Sequence, residues 1–130
     1  MSSLETAHVA PPAVGPYSPA AAAAGLLFVS GQIPLDPTSG GVIDDDIAAA
    51  THQVLANLKA VLASAGLSLA HVVKVTIFLV DMADFDTVNA IYADYFKPPY
   101  PARACVAVGA LPKWARIEIE AIAARGCDPQ

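Results

Sequence analysis

Near the C-terminus, two runs alternate along the chain with a period of two: Pro101 to Val108, and Trp114 to Ala123. A short connection with Gly109 and Pro112 separates them, a pattern that predicts two antiparallel strands joined as a hairpin. In the first run Arg103, Cys105 and Ala107 point one way, and Ala104, Val106 and Val108 the other. In the second, Arg116, Glu118, Glu120 and Ile122 lie opposite Ile117, Ile119, Ala121 and Ala123. The Ile/Ala face belongs against a core. The opposite face carries charge in an otherwise apolar chain, which is the first functional signal.

Upstream, Pro11, Pro12 and Pro16 limit any first strand to about Thr6–Ala10. Tyr17–Ala24 and Leu26–Gly31 predict two strands meeting near Gly25, because the flanking Pro16 and Pro19 override the helical preference of the alanines. Residues 33–41, with two prolines and two glycines, predict a loop. Asp44, Asp45 and Asp46 then open a helix whose apolar residues, Ile47 to Leu62, recur every three or four positions, with Gly66 as its stop. Val72–Val80 is nearly all apolar and β-branched, and predicts a central strand covered on both faces. A second helix starts at Asp84, presents Phe85, Val88, Tyr92, Tyr95 and Phe96, and ends at Pro98–Pro99. The order is βββαβαββ: an α+β domain spanning residues 1–130, with a mixed sheet, two helices on one face, and flexible ends at 1–5 and 126–130. The other face of the sheet is left for polar groups or an oligomer contact.

Composition sharpens this. With 130 residues, 55% of them hydrophobic and 15% charged, a monomer has too little interior for its apolar surface, so an oligomer is expected. A net charge of −5 and seven scattered Lys/Arg residues disfavour nucleic acid as a partner. Cys105 and Cys127 show no ligand or redox spacing and are expected as free thiols. The start of the chain has no basic segment followed by an apolar one, and no apolar run is long enough to span a bilayer. A cytoplasmic location is the expectation.

The candidate chemistry is sparse. Arg103 either pairs with Glu118 or Glu120 across the sheet or clamps a carboxylate with its planar fork. It shares their face only if facing positions sum to an odd number, as in 103 opposite 118 or 120. The two glutamates form a solvated face, or one of them serves as a general base in a dry pocket. Cys105 is a small packer or, with an Arg nearby, a reactive thiol. Asn89, on the apolar face of the second helix, must find partners, by capping a loop or by meeting a ligand. Tyr17 and Ser30 sit at strand ends, where sites often form. His8, His52 and His71 make no ligand pattern, so no metal is expected.

Taken together, Gly15-Pro-Tyr-Ser, Phe28-Val-Ser-Gly-Gln-Ile-Pro, Val73 to Asp81, Asp84-Phe-Asp-Thr-Val-Asn, Tyr100-Pro-Ala-Arg-Ala-Cys-Val and Ile117-Glu-Ile-Glu-Ala-Ile-Ala resemble the Rid family, also called the YjgF or L-PSP group. The resemblance runs from about Ala7 to Arg125. It implies a chorismate-mutase-like fold, a homotrimer with sites in clefts between subunits, and hydrolysis of 2-imino or enamine acids such as 2-iminobutanoate and 2-iminopropanoate to 2-oxo acids and ammonia. By the same resemblance Arg103 holds the carboxylate, Glu118 handles water, and Tyr17, Ser30, Asn89 and Cys105 line the pocket. No cofactor is implied. Pro19 stands where Gln is common in the family, a departure that alters the edge of the first strand but removes no site residue. A 2-oxo-acid-binding or chaperone-like trimer, and a ribonuclease or translation inhibitor, are the rival readings.

Overall fold

The computed structural model describes residues 15–125; the strand expected at Thr6–Ala10 and the thiol of Cys127 lie outside that span. Strand β1 (Ala20–Ala23) and strand β2 (Leu26–Gln32) form a hairpin pairing Ala23 with Leu26. The two-residue turn places both Ala24 (φ 54) and Gly25 (φ 78) in the left-handed region, as a turn matched to strand twist requires. That turn, rather than alanine's helical propensity, decides the local structure. β1 is shorter than expected, and Tyr17 precedes it in a bend.

Helix α1 (Ile47–Ser64) begins where the aspartate run predicts: the Asp46 side chain accepts a hydrogen bond from Ala49 N–H. It ends at Gly66 (φ 77), with Leu67 N–H donating to Leu62 C=O. Val54, Leu55, Leu58, Val61 and Leu62 are buried against the sheet. Trimming one of these leucines to alanine should cost about 2–5 kcal/mol. Asn57, buried in the same helix, donates to Ile33 C=O (3.2 Å) and Leu35 C=O (2.9 Å) and so anchors the loop that follows β2.

Strand β3 (Val72–Leu79), helix α2 (Phe85–Tyr95) and strand β4 (Ala102–Ala107) make a parallel crossover, and strand β5 (Ile117–Ala124) closes the chain. The sheet order is β1-β2-β5-β3-β4, mixed, with both helices contributing to the core on one face. The α+β architecture is therefore the expected one, and two of its details are not.

The expected hairpin between the last two strands does not form. β3 lies between them, parallel to β4 and antiparallel to β5. The crossover through α2 delivers β4 to one edge of β3, and the connection from β4 wraps around the end of β3 to reach its other edge. Val108 N–H donates to Leu79 C=O, and Val80 N–H to Arg116 C=O, at that crossing. β3 is an interior strand as expected, paired on both edges, but it is not covered on both faces. Val75, Ile77 and Leu79 are fully buried, whereas Lys74, Thr76 and Phe78 on the alternate face are half-buried.

Candidate active site

The register of β4 settles where Arg103 points. Arg103 lies beside Val75 and Cys105 beside Ile77, so both side chains project to the helix-covered face. On β5, Glu118 lies beside Phe78 and Glu120 beside Thr76, on the opposite, uncovered face. Arg103 therefore pairs with neither glutamate. The register sum derived for a hairpin does not apply, because the two strands are not neighbours.

Around Arg103, helix α2 supplies the setting. Asn89 Oδ1 accepts from Arg103 Nη1 at 2.7 Å. Asn89 is exposed rather than on the buried face of the helix, and its partner is this guanidinium and not a loop. The guanidinium carbon lies 4.8 Å from the Tyr92 ring centroid and 5.7 Å from that of Phe85. Asn89, Tyr92, Ala93, Tyr100, Pro101 and Arg103 line a cleft of about 470 Å³. Cys105 packs against the core; burial pushes its thiol pKa up, and the charge of Arg103 offsets part of that. A thiol so placed stays protonated at neutral pH and is a poor nucleophile.

The uncovered face carries the second group. Tyr17, Ser30, Lys74, Thr76, Glu120 and Ile122 are among the residues lining another cleft of about 470 Å³. Ser30 Oγ donates to Ser18 C=O at 2.7 Å, which pins the segment before β1 against β2. Glu118 rests directly on the backbone of Gly31: a Cβ at Gly31 would collide with the carboxylate and lie only 3.0 Å from Glu118 Cγ. Burial, and then the neighbouring charge of Glu120, raise the Glu118 pKa above its ordinary 4.5. A half-buried carboxylate with a raised pKa is suited to accept a proton near neutrality.

The six expected residues thus fall into two groups: Arg103, Asn89 and Cys105 on the helix side, Tyr17, Ser30 and Glu118 on the bare side. Lys74 and Thr76 escaped the sequence reading, although polar residues at alternate positions of an apolar strand are the mark of an uncovered face. Gly31 and Tyr92 carried no comparable signal. A third cleft of about 310 Å³, where α1 meets the end of α2 and Pro98–Pro101, contains none of the six. Among the described residues, no group of three or more His, Cys, Asp or Glu could hold a metal ion, and no helix is long and apolar enough to cross a membrane.

Comparison with known proteins adds to the geometry. The family model described as Endoribonuclease L-PSP matches residues 7–125. A RutC family protein from Pyrococcus horikoshii is 53% identical over 114 residues, covering 88% of this chain and 90% of the relative. The human 2-iminobutanoate/2-iminopropanoate deaminase is 48% identical over 117 residues, covering 90% and 85%. Among solved structures, E. coli TdcF with bound serine superposes with a TM-score of 0.87 at 40% identity, over 95% of this chain and 98% of that one.

Proposed function

This chain belongs to the Endoribonuclease L-PSP family, the Rid group, and from that premise we propose that it hydrolyses small 2-imino acids to 2-oxo acids and ammonia. Two observations support the reading: a guanidinium held by Asn89 on one face of the sheet, and on the other face a carboxylate whose pKa is raised. The 48% identity to a human protein named as an imine deaminase supports the same substrate class.

Little chemistry is needed. A 2-imino acid is already electrophilic at its C=N carbon. Arg103 binds the substrate carboxylate through charge-assisted hydrogen bonds. Glu118, as carboxylate, accepts a proton from a water molecule while the water oxygen bonds to the imine carbon. With the imine protonated on nitrogen, this gives a neutral carbinolamine; Glu118 hands its proton to the carbinolamine nitrogen, then takes the hydroxyl proton as the C–N bond breaks and passes it to the departing ammonia. Ammonia leaves, the 2-oxo acid remains, and Glu118 returns to its starting charge.

Arg103 and Glu118 project from opposite faces of one sheet, so a single chain does not offer both to one small substrate. The uncovered face carries Phe28 beside Ile122 and Val106 beside Phe78, with Phe28 and Val106 each 42% exposed. Our reading is a homotrimer in which these faces meet, with Arg103 of one subunit opposite Glu118 of the next. The word endoribonuclease in the family description has less support here. His52 is hydrogen-bonded to Tyr95 and His71 caps a short helical turn, neither lines the cleft beside Arg103, and the chain is acidic.

The test generates 2-iminobutanoate in situ and follows its decay with and without the protein. Acceleration, lost in Arg103→Ala and in Glu118→Gln, is the expected result. Decay at the uncatalysed rate would sink the proposal.

A further inference from the structure

We propose that Tyr92 is a positioning residue for Arg103, presenting the guanidinium to the substrate carboxylate; the inference rests on the reading of Arg103 given above. Arg103 sits on an edge strand whose residues are largely exposed. A long side chain in that position would sample many rotamers unless something held it. Three residues of α2 do so. Phe85, Asn89 and Tyr92 follow each other at helical spacings of four and three, which puts them on one face. Asn89 takes Nη1, and the two rings lie under the guanidinium.

Tyr92 is the fixed member of this set. Only 5% of it is exposed, whereas Asn89 is exposed and Phe85 half-buried. Its ring stacks on that of Phe96 at a centroid distance of 4.3 Å and an interplanar angle of 23°, and Phe96 is itself buried. The orientation of Arg103 is thereby referred to the core rather than to a mobile surface group. A cation held over a ring is attracted by the ring's quadrupole through its face, which leaves the in-plane N–H edge for a ligand. With Nη1 committed to Asn89, the edge formed by Nε and Nη2 is the one that meets the carboxylate bidentately.

The Tyr92 hydroxyl has no part in this. It is buried and has no hydrogen-bond partner among the described residues. The ring alone does the positioning, and that separates two substitutions. Tyr92→Phe keeps the ring and removes an unsatisfied polar atom. Tyr92→Leu keeps apolar bulk and removes the π face.

The experiment measures, by calorimetry on the purified protein, the affinity for 2-oxobutanoate and for its neutral amide, 2-oxobutanamide. Tyr92→Phe should match the wild type for both ligands. Tyr92→Leu should weaken the acid by about 3- to 30-fold while leaving the amide unchanged. In the imine assay, KM should rise by the same factor with kcat held. Phe85→Leu should show a smaller loss with the same selectivity. The inference is overturned if Tyr92→Leu binds the acid like the wild type, or if it weakens acid and amide equally, which is general structural damage. Should Tyr92→Leu fail to fold, Phe85→Leu decides: an unchanged acid-to-amide preference overturns the inference. A wild type that does not prefer the acid refutes the role of Arg103 itself, and the clamp falls with it. The two failures are therefore distinguishable.

Discussion

The two faces of the sheet solve opposite problems with the same five strands. The helix face buries Val75, Ile77, Leu79, Ile117 and Ile119 completely, and Arg103, braced by α2, stands charged at its rim. The other face buries none of its residues fully. It carries Glu118, Glu120, Lys74 and Thr76 among exposed apolar groups. One face completes a core and presents Arg103, the proposed carboxylate clamp, at its margin. The other is left uncovered within a single chain, and Glu118, the proposed general base, lies there. Each half has what the other lacks.

The sharpest way to break this comparison is to disable the halves in separate chains. Arg103→Ala should lose the carboxylate ligand, at a cost of about 2–5 kcal/mol in binding, with Arg103→Lys restoring only part. Glu118→Gln should lower turnover by about 10²–10⁴-fold while 2-oxo-acid binding persists. Mixed by denaturation and refolding, the two inactive variants should recover about a quarter of wild-type activity. In a mixed trimer one interface of three pairs an intact Arg103 with an intact Glu118. No recovery would mean that both residues act within one chain, and the trimeric site would have to be abandoned.

A second prediction sharpens the bare side alone. Gly31→Ala should push the Glu118 carboxylate off its seat and reduce kcat, with 2-oxo-acid affinity nearly unchanged. An undiminished kcat would show that the close approach is incidental.

The pH dependence gives a smaller effect. If Glu118 must be ionised, kcat/KM rises with pH through its folded-state pKa, so the acidic limb should lie above 4.5. Glu120→Gln should move that limb downward but not all the way, because burial, the larger cause, remains. An unmoved limb would argue that another group controls it.

Stability should respond least. A carboxyl whose pKa is raised on folding binds its proton more tightly in the folded state. Its ionisation therefore opposes folding, an effect absent below the unfolded value and complete above the folded one. Glu118→Gln should accordingly melt slightly higher than the wild type near neutral pH, and the gap should close as pH falls through the raised pKa toward 4.5 and below. A lower melting temperature at neutral pH would instead assign Glu118 a structural role.

Several features were legible without coordinates because their causes are local. The aspartates before α1, Gly66 after it, the two prolines after α2, and the alternation of Ile117, Ile119 and Ala121 each act within a few residues. The six site candidates, too, could be named from the chain. What the sequence did not reveal was partnership. Alternation says that β4 and β5 are strands, but it is blind to which edge each one takes. Only the packing of α2 and the wrapped connection between residues 108 and 116 put β3 between them. That single choice sends Arg103 and Glu118 to opposite faces. It also exposes Lys74 and Thr76, because the covering of a sheet face depends on which helices reach it and not on the strand's own composition. The residues and their local conformations were written into the sequence; which of them meet was decided by tertiary packing, since strand pairing and face coverage are contacts between segments far apart in the chain.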